Sequence, residues 1–158
     1  MKLIMRCKFG CETLAKIDGF EFPDSLYFHR DHMWVQVEDG KVRIGYNAWA
    51  QNAAGKVLFL RLRNIGSKLD QGKTLGTLES GKWVGPLKMP VSGTLAELNE
   101  EVQKKPSLIN DDPYGRGWVA VLTPSKLEEE LKELIRGSDE GALREWIAEE
   151  KKKYGIKS

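Results

Sequence analysis

The chain has 158 residues, of which 41% are hydrophobic and 30% charged, and a formal net charge of +2. That is enough chain for one full core, and the composition is that of an ordinary soluble globular protein rather than a disordered one. No apolar run reaches the roughly 20 residues needed to cross a bilayer, and the short apolar start is interrupted by Arg6, too little for a secretory leader, so a cytoplasmic protein with no membrane partner is expected.

Residues 1–25 read as an irregular N-terminal extension, broken by Cys7, Gly10, Cys11, Gly19 and Pro23. From Tyr27 the pattern turns β. Val35 and Val37 alternate with polar residues, Asp39-Gly40 supplies a type I′ turn, and Val42 and Ile44 resume the alternation. Residues 47–52 suggest a short helix ended by Gly55, and Val57 to Leu62 a buried strand. A turn-rich stretch, 66–72, leads into a strand over 74–79. Strand character returns over 89–98 and again over 118–122, after a loop at 104–117. Residues 55–79 and 93–122 each run glycine, strand, turn-rich loop, strand, which suggests two matching halves of a β-sandwich. Thr123-Pro124-Ser125 can open a helix striped by Leu127, Leu131, Leu134 and Ile135 and closed by Gly137. Ser138 can cap a second, striped by Leu143, Trp146 and Ile147. The expected organisation is an extension over 1–25, a sandwich over 26–123 and a helical segment over 124–158 packed on it.

Between the two halves lies Glu79-Ser80-Gly81-Lys82-Trp83-Val84-Gly85-Pro86. A lysine bracketed by glycines between apolar runs reads as the tip of a β-hairpin, held by its strands yet reachable by other proteins. Such a lysine suits covalent attachment of a carried group, since amide formation at Nζ removes the charge and lengthens the arm. Charge is also uneven here. From Lys41 to Lys88 there are nine Lys or Arg against Asp70 and Glu79, a basic region suited to acidic protein partners. No nucleic-acid motif accompanies that charge, so no nucleic-acid partner is expected. Nor is there a nucleophile–base constellation, phosphate loop or paired-carboxylate motif that would make the chain an enzyme.

Taken together, His32-Met33-Trp34-Val35, Gly45, Ala50-Gln51, Gly55, Glu79-Ser80-Gly81-Lys82, Pro90-Val91-Ser92-Gly93 and Asn110-Asp111-Asp112-Pro113-Tyr114-Gly115-Arg116-Gly117-Trp118 resemble the H protein of the glycine cleavage system. The resemblance covers about residues 27–137. It implies a mostly β, biotinyl/lipoyl-type hybrid sandwich with C-terminal helices and a non-catalytic carrier with lipoate joined to Lys82. Glu79 and Gly93 would be read by the lipoate-attaching enzyme. It further implies that an aminomethyl group is carried from glycine decarboxylase to the aminomethyltransferase, the dithiol being reoxidised by dihydrolipoyl dehydrogenase. A biotin carrier is the nearest other relative. Its lysine normally lies between methionines, and Lys88-Met89 lies in a strand and not at the tip.

Three departures bear on the cargo. Met33 stands where the family usually has a glutamate that holds the cationic nitrogen. Trp49 stands where histidine is common, and Lys56 where aspartate is common. Loss of acidic character favours a neutral or anionic group, which raises a second reading: an H-like lipoate-binding protein carrying sulfur intermediates for a heterodisulfide-reductase-like sulfur-oxidising complex. A third reading, a small zinc-binding module, rests on Cys7, Cys11, His29 and His32. Its histidine spacing is one residue short of the usual one.

Overall fold

A computed structural model of the chain describes residues 2–7 and 10–154, with side chains described from residue 15 onward. The chain opens with an antiparallel meander of β1 (Lys2–Cys7), β2 (Gly10–Ile17) and β3 (Phe20–Pro23). The expectation of an irregular start over 1–25 is corrected here. Asp18 and Gly19 take positive φ (57° and 86°) and turn β2 back on β3, while Ala15, Ile17 and Phe22 are buried. The period of two is present but short, and glycine and proline mark its turns and ends.

Seven strands form the main antiparallel sheet in the order β13-β4-β5-β6-β12-β11-β8. They are β4 (Tyr27–Phe28), β5 (Met33–Glu38), β6 (Lys41–Tyr46), β8 (Lys68–Leu69), β11 (Gly93–Leu98), β12 (Ala120–Pro124) and β13 (Ile135–Arg136). A second sheet, in the order β10-β9-β7, holds β7 (Val57–Leu62), β9 (Thr74–Ser80) and β10 (Val84–Lys88). The 55–79 unit supplies β7 and β9, neighbours in the small sheet. The 93–122 unit supplies β11 and most of β12, neighbours in the large one. The mostly β sandwich with C-terminal helices is therefore observed, and one continuous core runs through it, including Trp34, Leu75, Leu78, Leu87, Met89 and Leu95.

The expected Asp39-Gly40 turn joins β5 to β6 with φ of 37° and 79°, the left-handed pair that a type I′ turn needs. Gly45 faces Trp34 across these strands, and a Cβ there would lie 2.6 Å from the indole. Short helices α1 (Ala48–Ala54), α2 (Glu100–Lys104) and α3 (Leu108–Asp111) link the strands, the last two across the stretch that reads as loop or strand end. The β7 strand lies where expected but is not fully buried, since Leu58, Phe59 and Arg61 are exposed.

The helix expected from Pro124 to Gly137 is reduced to α4 (Leu127–Leu131). Pro124 ends β12, and Ile135-Arg136 leaves the helical path to pair with Phe28 and Tyr27. Gly137 packs so tightly that an added Cβ would meet Pro23 O at 1.9 Å. Edge pairing and this close approach override a helical leucine spacing. The second helix, α5 (Glu140–Tyr154), forms as expected, but Asp139, not Ser138, accepts the Ala142 N–H. Leu143, Trp146 and Ile147 are buried, and Trp146 meets Phe22 edge to face at 6.4 Å.

Candidate functional site

Lys82 lies between β9 and β10, as expected. Ser80 N–H donates to Trp83 O at 2.8 Å and closes a turn whose central residues are Gly81 and Lys82. The buried Ser80 hydroxyl sets the geometry of this tip. It accepts the Lys82 and Trp83 N–H groups at 3.3 and 3.1 Å, and donates to Ala54 O at the end of α1 at 2.5 Å. The lysine backbone is thereby fixed while its side chain is exposed.

The stem of Lys82 lies over Gly55, where an added Cβ would come 3.0 Å from the lysine Cε. Gly55 also has φ 87°, which disfavours any side chain. Asn110 of α3 holds this segment down. Its Nδ2 donates to Gly55 O and Gln51 Oε1, each at 2.9 Å, and its Oδ1 accepts the Val57 N–H at 2.8 Å. Asn110→Ala leaves these groups unpaired and is expected to cost about 2 kcal/mol of stability, measurable by denaturant unfolding.

Beside the tip is a pocket of about 180 Å³ lined by His32, Tyr46, Trp49, Ala50, Ala53, Ala54, Trp83 and Tyr154. Trp83 and Ala54 are the chain neighbours of Lys82 and Gly55, so the pocket begins one residue from the lysine stem. Trp83 folds over Gly85, where a Cβ would meet its ring at 2.1 Å. Burial pushes the Tyr46 phenol far above its ordinary range, so it stays neutral.

The inner wall is His32, stacked between Trp49 and Trp146 at 5.2 and 5.0 Å. Asn47 caps α1 by accepting the Ala50 N–H on Oδ1 at 2.8 Å, which leaves its Nδ2 to face His32 Nδ1 at 3.3 Å. His32 Nδ1 is therefore the acceptor, and Nε2 carries the proton given to Glu150 Oε1 at 2.5 Å. That hydrogen bond holds the Glu150 carboxyl below its ordinary range, against the opposing effect of its burial. One network thus ties α1, β5 and α5 around the pocket.

Of the departures named above, only Trp49 lines this pocket. Met33 is wholly buried in the core, and Lys56 borders a shallow hollow with Gly55, Leu58, Gly81 and Lys82. Glu79 is exposed next to the tip, in register with Val84 and Phe59. Gly93 is buried in β11, where a Cβ would meet Thr123 O at 2.6 Å, a packing reason for glycine. Lys88 is half-buried in β10.

The four residues of the zinc reading are not shown together. The Cys7 and Cys11 side chains lie outside the described residues, His32 is engaged by Glu150 and Asn47, and His29 Nδ1 accepts the Asp31 N–H. Burial lowers the His29 pKa. Among the described residues no cluster of three or more His, Cys, Asp or Glu is placed to hold a metal. Sequence reasoning missed Ser80, Asn47, Tyr46, Glu150 and Tyr154 as parts of the site. Only Asn47 carries a local signal: it opens the stretch that reads as a short helix, and asparagine there suits the cap it forms.

The glycine cleavage H-protein family model matches residues 26–150. Glycine cleavage system H protein 2 of Aquifex aeolicus is 39% identical over 142 residues, 88% of each chain. A probable glycine cleavage system H protein 2 of Sulfolobus acidocaldarius is 40% identical over 136 residues, 83% of this chain and 91% of that one. The crystal structure of a glycine cleavage system H protein from Mycobacterium marinum superposes with a TM-score of 0.69 at 31% identity, covering 77% of this chain and 97% of that one. The chain belongs to the glycine cleavage H-protein family, whose members are lipoyl carriers and not themselves catalysts. Among the described residues no helix is long and apolar enough to cross a membrane.

Proposed function

We propose that Lys82 is the lipoyl attachment point and that the chain serves the glycine cleavage system, passing an aminomethyl cargo from glycine decarboxylase to the aminomethyltransferase, with dihydrolipoyl dehydrogenase restoring the disulfide. The observation that carries this reading is the tip itself: an exposed lysine on a backbone clamped by the buried Ser80 hydroxyl. The group fits the residues present: Gly55 leaves the lysine stem uncrowded, since an added Cβ would come 3.0 Å from Cε, and the pocket walled by Trp83 begins one residue away. When bound, lipoate supplies a dithiol that accepts and releases a carried group. The protein supplies position. Clamping the tip limits where the arm is anchored, and the arm's reach then sets a high effective concentration at each partner.

A second reading is favoured by the pocket lining. Among the described residues no Asp or Glu lines it, and Glu150, behind His32, is already engaged. The pocket offers a cation aromatic faces but no carboxylate, so its lining does not demand a charged cargo and a neutral sulfur cargo fits it as well. Expression with a lipoylating system tests the attachment: the intact mass should rise by one lipoyl group, mapped to the peptide holding Lys82. A rise mapped to Lys88, or none, would sink it. Lipoyl-dependent glycine–CO₂ exchange with glycine decarboxylase then tests the cargo. A lipoylated chain that supports no exchange leaves the sulfur reading in place.

A further inference from the structure

The β10-β9-β7 sheet carries three of the six large apolar side chains exposed among the described residues, Leu58, Phe59 and Val84; Val37, Ile65 and Tyr154 are exposed elsewhere. Phe59 is 60% exposed and Val84 61%. They are not scattered. The register places one on each side of Glu79, so that Phe59, Glu79 and Val84 form a single row across the sheet. The next row is Arg61, Thr77 and Pro86, all exposed. Leu58, 45% exposed, continues the apolar surface into the hollow it shares with Lys56 and Lys82. Charge in and beside these rows is one-sided: Arg61 lies in the second row, Lys56, Arg63 and Lys82 are exposed in the flanking chain, and Glu79 is the acid among the rows named.

We infer that this face is the docking surface for the enzyme that attaches the arm, and that the enzyme meets it with an apolar depression rimmed by carboxylates. The inference rests on Lys82 being the attachment point. The chemistry forces close approach. The acyl carbon of an activated lipoyl donor bonds to Nζ, the donor's leaving group departs with the electron pair of the broken bond, and Nζ loses a proton. A lysine stem is only four carbons long, so the acylating enzyme must bring its own surface against the hairpin and the sheet beside it. An enzyme acting at the far end of a completed arm need not. Exposed aromatic and aliphatic anchors beside an arginine are the composition of an interface centre. The basic surround selects an acidic rim and speeds encounter with it. Glu79, between the two anchors, is placed to fix the docked register.

The test is initial rates of lipoylation by a lipoate–protein ligase supplied with lipoate and ATP, followed by intact mass as the chain concentration is varied. Phe59→Ser and Val84→Ser should each raise KM about ten-fold with kcat nearly unchanged. Arg61→Glu should do the same at low salt, its effect shrinking as NaCl is raised. A Lys82→Arg chain cannot be acylated and should inhibit competitively, and adding Phe59→Ser to it should raise the inhibition constant by the same factor. Equal melting temperatures confirm that the variants fold. Wild-type chain left unmodified would overturn the attachment reading and the docking proposal with it. A modified wild type with unchanged KM and inhibition constants in the variants, or with losses in kcat alone, overturns the docking proposal by itself.

Discussion

Lys82→Arg is expected to abolish lipoylation completely, so that the intact mass of the variant stays unchanged under conditions that add one lipoyl group to the wild type. Arginine keeps the positive charge and most of the stem, but its guanidinium stays protonated in proteins and is no acyl acceptor at neutral pH. The fold should not notice. Lys82 is exposed, and the bonds that set the tip come from Ser80 and the backbone. Unfolding midpoints of the two chains should agree within the usual scatter of surface substitutions, about 0.5 kcal/mol. A residual mass increase in the variant would show that another lysine is acylated, with Lys88 the first to inspect. The same variant should also fail to support glycine–CO₂ exchange, a loss traced to the missing arm and not to damage in the sandwich.

His32→Ala should be the most damaging single change around the pocket. It removes a ring stacked between Trp49 and Trp146 and leaves Glu150 without its partner. Cavity formation and an unpaired, mostly buried carboxylate together are expected to cost about 3 kcal/mol. The pH dependence separates the two contributions. Because the folded Glu150 pKa lies below its ordinary value of 4.5, its bond to His32 stabilises the fold fully above that value and loses this contribution as pH falls through the lower folded one. Glu150→Gln should therefore flatten the acid side of the stability profile below about pH 5, while His32→Ala lowers stability across the whole range. Urea unfolding from pH 3 to pH 7 distinguishes them. An acid limb in Glu150→Gln identical to that of the wild type would contradict the role given to this pair.

The same network shows why only part of the site was legible. Asp39-Gly40 and the glycine-bracketed Lys82 act through their immediate neighbours, so their spacing announces the turn and the tip. His32 and Glu150 are separated by 118 positions, and nothing local to either predicts the contact. Tyr114 is similar: its hydroxyl receives the Ala48 N–H and donates to Glu21 O, so the Pro-Tyr-Gly run braces α1 against β3. The helix expected through Ile135 failed for a related reason. Its leucine spacing suits a helix, but pairing with Phe28 satisfies the backbone at the sheet edge, and that gain depends on where the edge lies.

Sequence alone determined the hairpin, the lysine at its tip and the β character of the central chain, because hydrophobic period and turn chemistry act over a few residues, and its motifs carried the resemblance to the family. Tertiary structure decided what stands around that lysine. It put Met33 in the core and Trp49 on the pocket wall, paired β1, β2 and β3 in a sheet, and aligned Phe59 and Val84 on either side of Glu79. Those placements depend on strand register and on packing between segments far apart in the chain, and neither is written in the neighbours of any one residue.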